Sequence, residues 1–548
     1  MTLSPSAHLD TFCRDHLPPR EQWPEFLLDL PDVRYPARLN VATVLLDDAI
    51  AAGWGERPCL VTATGESWTY ADLLAKANQV ARVLTEDLAL VPGNRVLLRG
   101  PNNPWLVAAW FGVLKAGGVV VPTMPLLRAR ELTTIGEVGQ FSIAICDARF
   151  LEELAQADLP GLTIIPYGGE DATDLTRRAA GKSAAYVNVD TAADDVSMLA
   201  FTSGTTGRPK ATMHFHRDVL ANADTFGRHV LKPLADDVFI GTPPIAFTFG
   251  LGGLVIFPLR VGASTVLLEK ATPMELAQVI ADRGGTVCFT APTAYKAMIA
   301  GGAVPQLRTL RRAVSAGEHL PLATWEAVRA ATGLRLIDGI GSTEMLHIFI
   351  GSSDDEIRPG STGRPVPGYR ARIIDADGQE VPDGQAGRLA VQGPTGCRYL
   401  DDARQLVYVE HGWNVTGDTF IRDADGYFWY QARSDDMIIS SGYNISGPEV
   451  EEAISTHPAV LESAVVASPD EDRGAIVRAF VVLKDGLDQV AEPGARSALM
   501  RSIQDHVKRE IAPYKYPRAV EFVAALPRTS TGKVQRYVLR QQAASTAP

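Results

Sequence analysis

The stretch FTSGTTGRPK, Phe201 to Lys210, gathers the residue types that hold an anion. Gly204 and Gly207 let the backbone turn where a Cβ would clash. Ser203, Thr205 and Thr206 bring hydroxyls, successive N–H groups in such a turn form an anion nest, and Lys210 adds charge. By itself a short Gly-Thr loop is as often a plain surface turn. A P-loop needs GxxxxGK followed by Ser or Thr. Here Gly207 is followed by Arg-Pro-Lys-Ala, so that hydroxyl is missing, and Pro209 removes an N–H from the cradle. Other residues with chemical potential stand further on: Glu344 in DGIGSTE (Asp338 to Glu344), Asp418 in TGD, Arg433 after it and Lys533 in PRTSTGKVQR. Each has a plain reading too. Glu344 after Ser342 and Thr343 suits a helix start, Thr-Gly-Asp is a turn, Arg433 suits a surface ion pair, and Lys533 sits in a Gly-flanked, solvated stretch.

The elements that would position these residues alternate between helix and strand. SWTYADLLAKANQVARVL offers Thr69 as an N-cap before an apolar period of 3.6. NRVLLRG and VVVPT read as strands on either side of a helix, NPWLVAAWFGVLKAGG, that ends at Gly117 and Gly118. VSMLAFTSG is a buried strand that runs into the opening loop. Alternation of this kind predicts parallel sheets covered by helices. After about Gly360 the pattern changes to short strands with Asp-Gly turns, which predicts an antiparallel segment. From Met437 the segments PEVEEAISTHPAV, SAVVAS, AIVRAFVVLKD and ALMRSIQDHVKREI predict a small α+β domain. The expected fold is α/β: a large N-terminal domain, 1–434, of parallel sheets flanked by helices plus an antiparallel β segment, and a small α+β domain, 435–548, which the family resemblance described below implies is mobile.

Composition narrows the partners. A chain of 548 residues is too long for one compact core. Its formal charge of -12 argues against nucleic acid held by bulk electrostatics. The N-terminus MTLSPSAHLDTF lacks a signal-peptide pattern, and the longest apolar stretch, VLKAGGVVVPTMPLL, is interrupted by Lys115, glycines and prolines. No membrane partner and a cytoplasmic location are expected. Five scattered cysteines without metal spacing read as reduced core thiols.

Taken in order, the motifs resemble those of the acyl-adenylate-forming superfamily of AMP-dependent synthetases and ligases. PPIAFTFG (Pro243 to Gly250) resembles its aromatic substrate-side motif, SAGEHL (Ser315 to Leu320) its adenine-side loop, and ARSDDMIISSGYNISGPEVE its interdomain hinge. The resemblance spans nearly the whole chain. It implies ATP, Mg²⁺ and coenzyme A, and a reaction in which a carboxylate attacks the α-phosphate of ATP before a thiol takes the acyl group from acyl-AMP. Thr202 to Gly207 and Lys210 would hold the β- and γ-phosphates, Thr343 the α-phosphate and Glu344 the Mg²⁺. Gly317, Glu318, Asp338, Gly339 and Ile340 would border adenine, Asp418 the ribose hydroxyls, and Arg433 ribose or phosphate. Lys533 would be the adenylation lysine, Asp435 the hinge, and Gly442 part of the thiol tunnel. Two positions depart from the pattern: Ile438-Ile439 stands for Ile-Lys, and Asn444 follows Gly442-Tyr443 where Arg is usual.

The resemblance places the acyl pocket at Phe247, Thr248, Phe249, Gly341 and His347. Two aromatics in an apolar strand are ordinarily core packing; in this context they suggest a flat slot for an aromatic ring. DGIGSTEMLHIFIG resembles the benzoate-CoA ligase branch, and the N-terminal DTFCRDHLPPREQWPEFLLDLP resembles 2-aminobenzoate (anthranilate) CoA ligases. An ortho amine needs an acceptor, which Thr248 or His347 would offer. Benzoate and hydroxybenzoates stay open as substrates, as do adenylation for a carrier protein acting in trans and, disfavoured by the joint presence of Glu344, Asp418 and Lys533, a non-catalytic binding protein.

Overall fold

The computed structural model describes residues 3–202, 209–433, 437–440, 443–470, 474–511, 513–529 and 532–545. Packing divides the chain into two compact units. One comprises Met1–Ala371 with Val391–Val415, the other Arg372–Ala390 with Thr416–Pro548.

The first unit carries two sheets. Its six-stranded sheet runs in the order Thr163–Tyr167, Ile143–Asp147, Arg95–Arg99, Val119–Thr123, Val196–Thr202, Lys210–Phe215. All neighbours are parallel except the last pair, which is antiparallel with Thr202 opposite Lys210. Strands buried on both faces need no alternation, and Arg95–Arg99 is accordingly buried at all five positions. Helix Tyr70–Arg82 begins as expected at Thr69, whose hydroxyl accepts from the Asp72 N–H while Asp72 answers the Thr69 N–H. Helix Pro104–Lys115 is buried at nearly every position; Asn103 caps it and Pro104 opens it. The nine-stranded sheet places Val238–Gly241, Val287–Thr290, Arg312–Ser315 and Leu336–Gly341 side by side and parallel at its centre.

The second unit includes the antiparallel pairing of residues 418–422 with strand Phe428–Arg433, joined through a turn at Asp425-Gly426. Its C-terminal part is built on the antiparallel ladder Val460–Asp470 with Gly474–Leu483, to which Ala519–Phe522 adds a parallel strand. Alternate residues feed two cores. Val465, Ala479 and Val481 pack with Ile503 and Val507 of helix Pro493–Glu510. Ala464, Val466 and Phe480 pack on the opposite face with Leu539 and Ala543 of the terminal helix Arg536–Ser545.

All five cysteines are buried and unpaired. Burial pushes the thiols of Cys13, Cys146 and Cys288 up to about 12, and those of Cys59 and Cys397 well above their usual range. Among the described residues no helix is long and apolar enough to cross a membrane.

Candidate functional site

The loop residues Ser203, Gly204, Thr205, Thr206 and Gly207 lie outside the described residues, but both ends of the loop are fixed. Thr202 ends one strand, Lys210 starts its antiparallel neighbour, and the two face each other across the ladder. The segment around Tyr399 then pairs with the second strand: the Met213 N–H donates to the Arg398 carbonyl at 2.8 Å and the Leu400 N–H to the Ala211 carbonyl at 2.9 Å. That pairing sets Tyr399 beside Lys210. The ammonium lies 4.3 Å from the centre of the Tyr399 ring and 5.4 Å from that of Tyr408, and it donates to the Tyr399 hydroxyl.

Glu344 completes this cluster. Its carboxylate accepts from the Tyr399 hydroxyl at 2.5 Å and lies 3.3 Å from the Lys210 ammonium. The residue is 6% exposed. A helix start is not what positions it: residues 343–346 form a turn, closed by the Leu346 N–H on the Thr343 carbonyl at 3.1 Å. Leu346 takes a left-handed φ of 70°, uncommon for such a side chain. The Ser342 hydroxyl accepts from the Met345 N–H and meets the Tyr408 hydroxyl at 3.1 Å. Thus a lysine and a carboxylate from two motifs, together with a tyrosine from a third segment, share one polar cluster.

Further along, the parallel pairing of Ser315 with Asp338 puts Gly317 and Glu318 beside Asp338, Gly339 and Ile340 at the ends of adjacent strands. Gly317 needs its glycine for φ 90°. Burial raises the Asp338 carboxyl to about 8, against an opposing hydrogen bond from the Gly339 backbone. Gly339 and Gly341 also serve packing: a Cβ on either would crowd Ile348 or the His347 backbone on the next strand.

On the acyl side, Phe247 precedes the short helix Thr248–Leu251. Asn102 clamps the approach to it, donating to the Pro243 carbonyl at 3.0 Å and accepting from the Ile245 N–H at 2.8 Å. A Cβ at Gly250 would overlap the carbonyl oxygens of Pro243 and Pro244. Phe249 lies 5.7 Å from the His347 ring, and Phe226, Phe257 and Phe289 surround that ring at 4.7–6.4 Å. Burial drives the His347 imidazole down to about 3, outweighing an opposing backbone hydrogen bond with Phe249, so it is neutral at physiological pH.

The second unit carries the remaining expected residues. Asp418 is buried and its backbone pairs with that of Arg433, whose side chain lies outside the described residues. Lys533 is exposed; its carbonyl accepts from the Thr529 N–H at 2.7 Å and its N–H donates to the Thr529 hydroxyl at 3.1 Å. Asp435 and Gly442 lie outside the described residues.

Comparison with known proteins places this arrangement. Residues 48–398 match the model of the AMP-binding enzyme family, and residues 449–533 match its C-terminal domain. The chain belongs to the AMP-binding enzyme family. It is similar to a benzoate–CoA ligase of Thauera aromatica, 36% identical over 93% of this chain and 97% of that one. It is also similar to a 4-hydroxybenzoate–CoA/benzoate–CoA ligase of Rhodopseudomonas palustris, 34% identical over 92% and 94% of the two chains. Among solved structures, the anthranilate CoA ligase AuaEII in complex with anthranoyl-AMP superposes with a TM-score of 0.87 at 34% identity, covering 94% of this chain and 99% of that one. This AMP-binding enzyme is therefore an acid–thiol ligase of the benzoate–CoA ligase branch.

Sequence reasoning on the AMP-binding enzyme missed Tyr399, Tyr408 and Asn102. A lone tyrosine or asparagine follows no spacing rule. The one available clue was Arg398, a charge inside the apolar run around GCRYL. Arg398 is fully buried, pairs with Asp218 and stacks 4.0 Å from the Phe215 ring centre, which anchors the segment that carries Tyr399.

Proposed function

We propose that this enzyme is an ATP-dependent aryl-CoA ligase acting on 2-aminobenzoate (anthranilate). It converts the acid to aryl-AMP with release of pyrophosphate, then transfers the acyl group to coenzyme A with release of AMP. The observation that carries the aryl reading is the aromatic enclosure of neutral His347 by Phe249 and its neighbours, three residues along the chain from Glu344 of the Lys210–Glu344–Tyr399 cluster. The likeness to the anthranoyl-AMP-bound ligase supports the 2-amino substituent.

A carboxylate is a poor acyl donor because its leaving group is oxide, and adenylation supplies a better one. The transition state needs neutralisation of charge more than proton transfer. In this reading Lys210 and the loop Thr202 to Gly207 hold the outer phosphates, and Thr343 donates to the α-phosphate. Among the described residues no three-ligand acidic cluster exists. A single buried carboxylate at Glu344 fits a Mg²⁺ that keeps water and phosphate oxygens as its other ligands. Bound there, the ion would neutralise phosphate charge. The raised pKa of Asp338 gives a carboxyl that both donates and accepts near neutrality, which matches the adjacent acceptor and amine of adenine. Gly317, Glu318, Gly339 and Ile340 frame that base, and Asp418 accepts from the ribose hydroxyls with Arg433 beside it. Lys533 bridges the acid and the α-phosphate during adenylation. Asp435 is the hinge, Gly442 lines the thiol path, and the functional domains meet at 434/435. Phe247, Thr248, Phe249, Gly341 and His347 form the ring slot, with the His347 nitrogen or the Thr248 hydroxyl as acceptor for the amine.

Benzoate and hydroxybenzoates form the second reading, favoured by the Thauera and Rhodopseudomonas relatives. Carboxylate-dependent AMP formation across a panel of substituted benzoates decides between them, scored by kcat/KM with CoA and with a phosphopantetheinyl carrier as thiol. The highest value is expected for 2-aminobenzoate with CoA. A preference for an unsubstituted or hydroxylated ring overturns the anthranilate reading, one for long-chain acids overturns the aryl reading, and one for the carrier overturns CoA.

A further inference from the structure

The chain leaves the first unit after Ala371, returns to it for Val391–Val415 and leaves it again. Tyr399 lies on this returning stretch. A hydrogen bond as short as its 2.5 Å bond to Glu344 depends on where the backbone holds the phenol. One fastening is the pairing of residues 398–400 with 211–213. A second is Gln405, which opens the short helix Gln405–Tyr408 and is 1% exposed. Glutamine is seldom so deeply buried, and this one uses its full hydrogen-bonding capacity. Its amide oxygen accepts from the Tyr399 N–H at 2.9 Å and from the Cys397 thiol at 3.4 Å. Its amide nitrogen donates to the Cys397 carbonyl at 3.2 Å and to the Gln22 carbonyl at 2.8 Å. A backbone N–H only donates and a carbonyl only accepts, so these partners dictate which end of the amide faces which way.

Gln22 brings a distant part of the chain into this bracket. The segment that follows it runs along the same returning stretch: the Glu25 N–H donates to the Gly412 carbonyl at 2.8 Å and the Leu27 N–H to the Gly393 carbonyl at 3.0 Å. The Phe26 and Trp23 ring centres lie 4.9 Å and 5.8 Å from the Arg398 guanidinium. Arg398 precedes Tyr399 and Gln405 holds the Tyr399 N–H, so residues 22–27 bear on the Tyr399 backbone from two directions. We propose that Gln405 is a positioning residue for adenylation. It passes the docking of residues 22–27 on to the Tyr399 hydroxyl, and so fixes the Lys210–Tyr399–Glu344 cluster that receives the nucleotide. The effect on the nucleotide rests on the reading of that cluster given above; the link from Gln405 to Tyr399 rests on the hydrogen bonds alone.

Gln405→Met keeps the length of the side chain and removes its hydrogen bonds. In the full chain KM for ATP should rise about 10-fold, with KM for 2-aminobenzoate unchanged; a mere loss of folded protein lowers the apparent kcat and leaves both KM values alone. In a Tyr399→Phe background the same change should add almost nothing to KM for ATP, because the hydroxyl it positions is gone. Independently of turnover, 3-fluorotyrosine placed at position 399 reports the phenol by ¹⁹F NMR of the unliganded protein. Gln405→Met and Phe26→Leu should displace its resonance in the same direction. Additive increases in KM from Gln405→Met and Tyr399→Phe, or a ¹⁹F resonance that neither variant moves, would overturn the positioning role. A displaced resonance with KM for ATP unchanged in both Gln405→Met and Tyr399→Phe would overturn the nucleotide reading of the cluster instead. If Gln405→Met fails to fold, Phe26→Leu undergoes the same kinetic and ¹⁹F comparisons and decides alone.

Discussion

Lys210, Tyr399 and Glu344 make a cation, a hydroxyl and an anion mutually dependent, and single substitutions separate their roles. Tyr399→Phe removes a short hydrogen bond to a buried carboxylate, worth about 1.5–3 kcal/mol for a charged acceptor. Titration of adenylation with Mg²⁺ should show a raised half-saturating concentration and little change in KM for the acid; an unchanged Mg²⁺ dependence would detach Tyr399 from Glu344. Lys533→Ala should lower ATP–pyrophosphate exchange by about two to three orders of magnitude, the cost of losing one preorganised transition-state donor. The same variant should still form thioester from supplied acyl-AMP, and an equal fall in both half-reactions would contradict its assignment. Three buried histidines, His214, His216 and His347, are each driven down to about 3 by desolvation. The unfolded chain titrates them near 6.5, so it takes up protons that the folded protein refuses. Their contribution to stability is complete above pH 6.5 and is lost as pH falls toward 3, by about 1.4 kcal/mol per pH unit for each. Denaturant unfolding at pH 7.5 and 5.5 should show His347→Gln losing about 1.4 kcal/mol less stability over that interval than the wild type; equal losses would exclude the imidazole as the cause.

Elements position these side chains, and the substrate-side segment shows the dependence. Gly250→Ala would force a Cβ into the carbonyls that begin the segment, and Asn102→Ala would remove both hydrogen bonds that hold its start, at Pro243 and Ile245. Either change should raise KM for the acid several-fold with KM for ATP little altered, because the nucleotide-side strands are untouched; equal effects on both substrates would argue for general loosening. Strand and helix positions were legible in the sequence wherever burial writes a pattern, as in NRVLLRG, VVVPT and the Thr69-capped helix. The terminal helix Arg536–Ser545 was not, since only Leu539 and Ala543 are buried along it. The turn under Glu344 was misleading, because Ser-Thr-Glu spells a helix start and the left-handed residue that closes the turn is Leu346 rather than a glycine. Tyr399 was hidden for a third reason: the pairing of residues 398–400 with 211–213 joins segments far apart in sequence, and no local rule reports such contacts.

At the scale of the molecule, the residues proposed for the chemistry are divided between two compact units: Lys210, Thr343 and Glu344 belong to one, Asp418 and Lys533 to the other. A hinge that must serve two half-reactions needs only a few adaptable dihedrals. Asp435→Pro should therefore leave pyrophosphate exchange near the wild-type rate and reduce acyl-CoA formation by at least about 10-fold, measured on one preparation; normal overall turnover would remove Asp435 from that role. The buried cysteines carry a consequence for the product itself. Acyl-adenylates acylate any thiolate within reach; with the thiols of Cys13, Cys146 and Cys288 pushed up to about 12, only about one in 10⁵ of these is ionised at neutral pH, and burial holds Cys59 and Cys397 well above their usual range too. An enzyme so built offers its own mixed anhydride no ionised cysteine, and the incoming pantetheine sulfur meets no internal thiolate in competition for the acyl group.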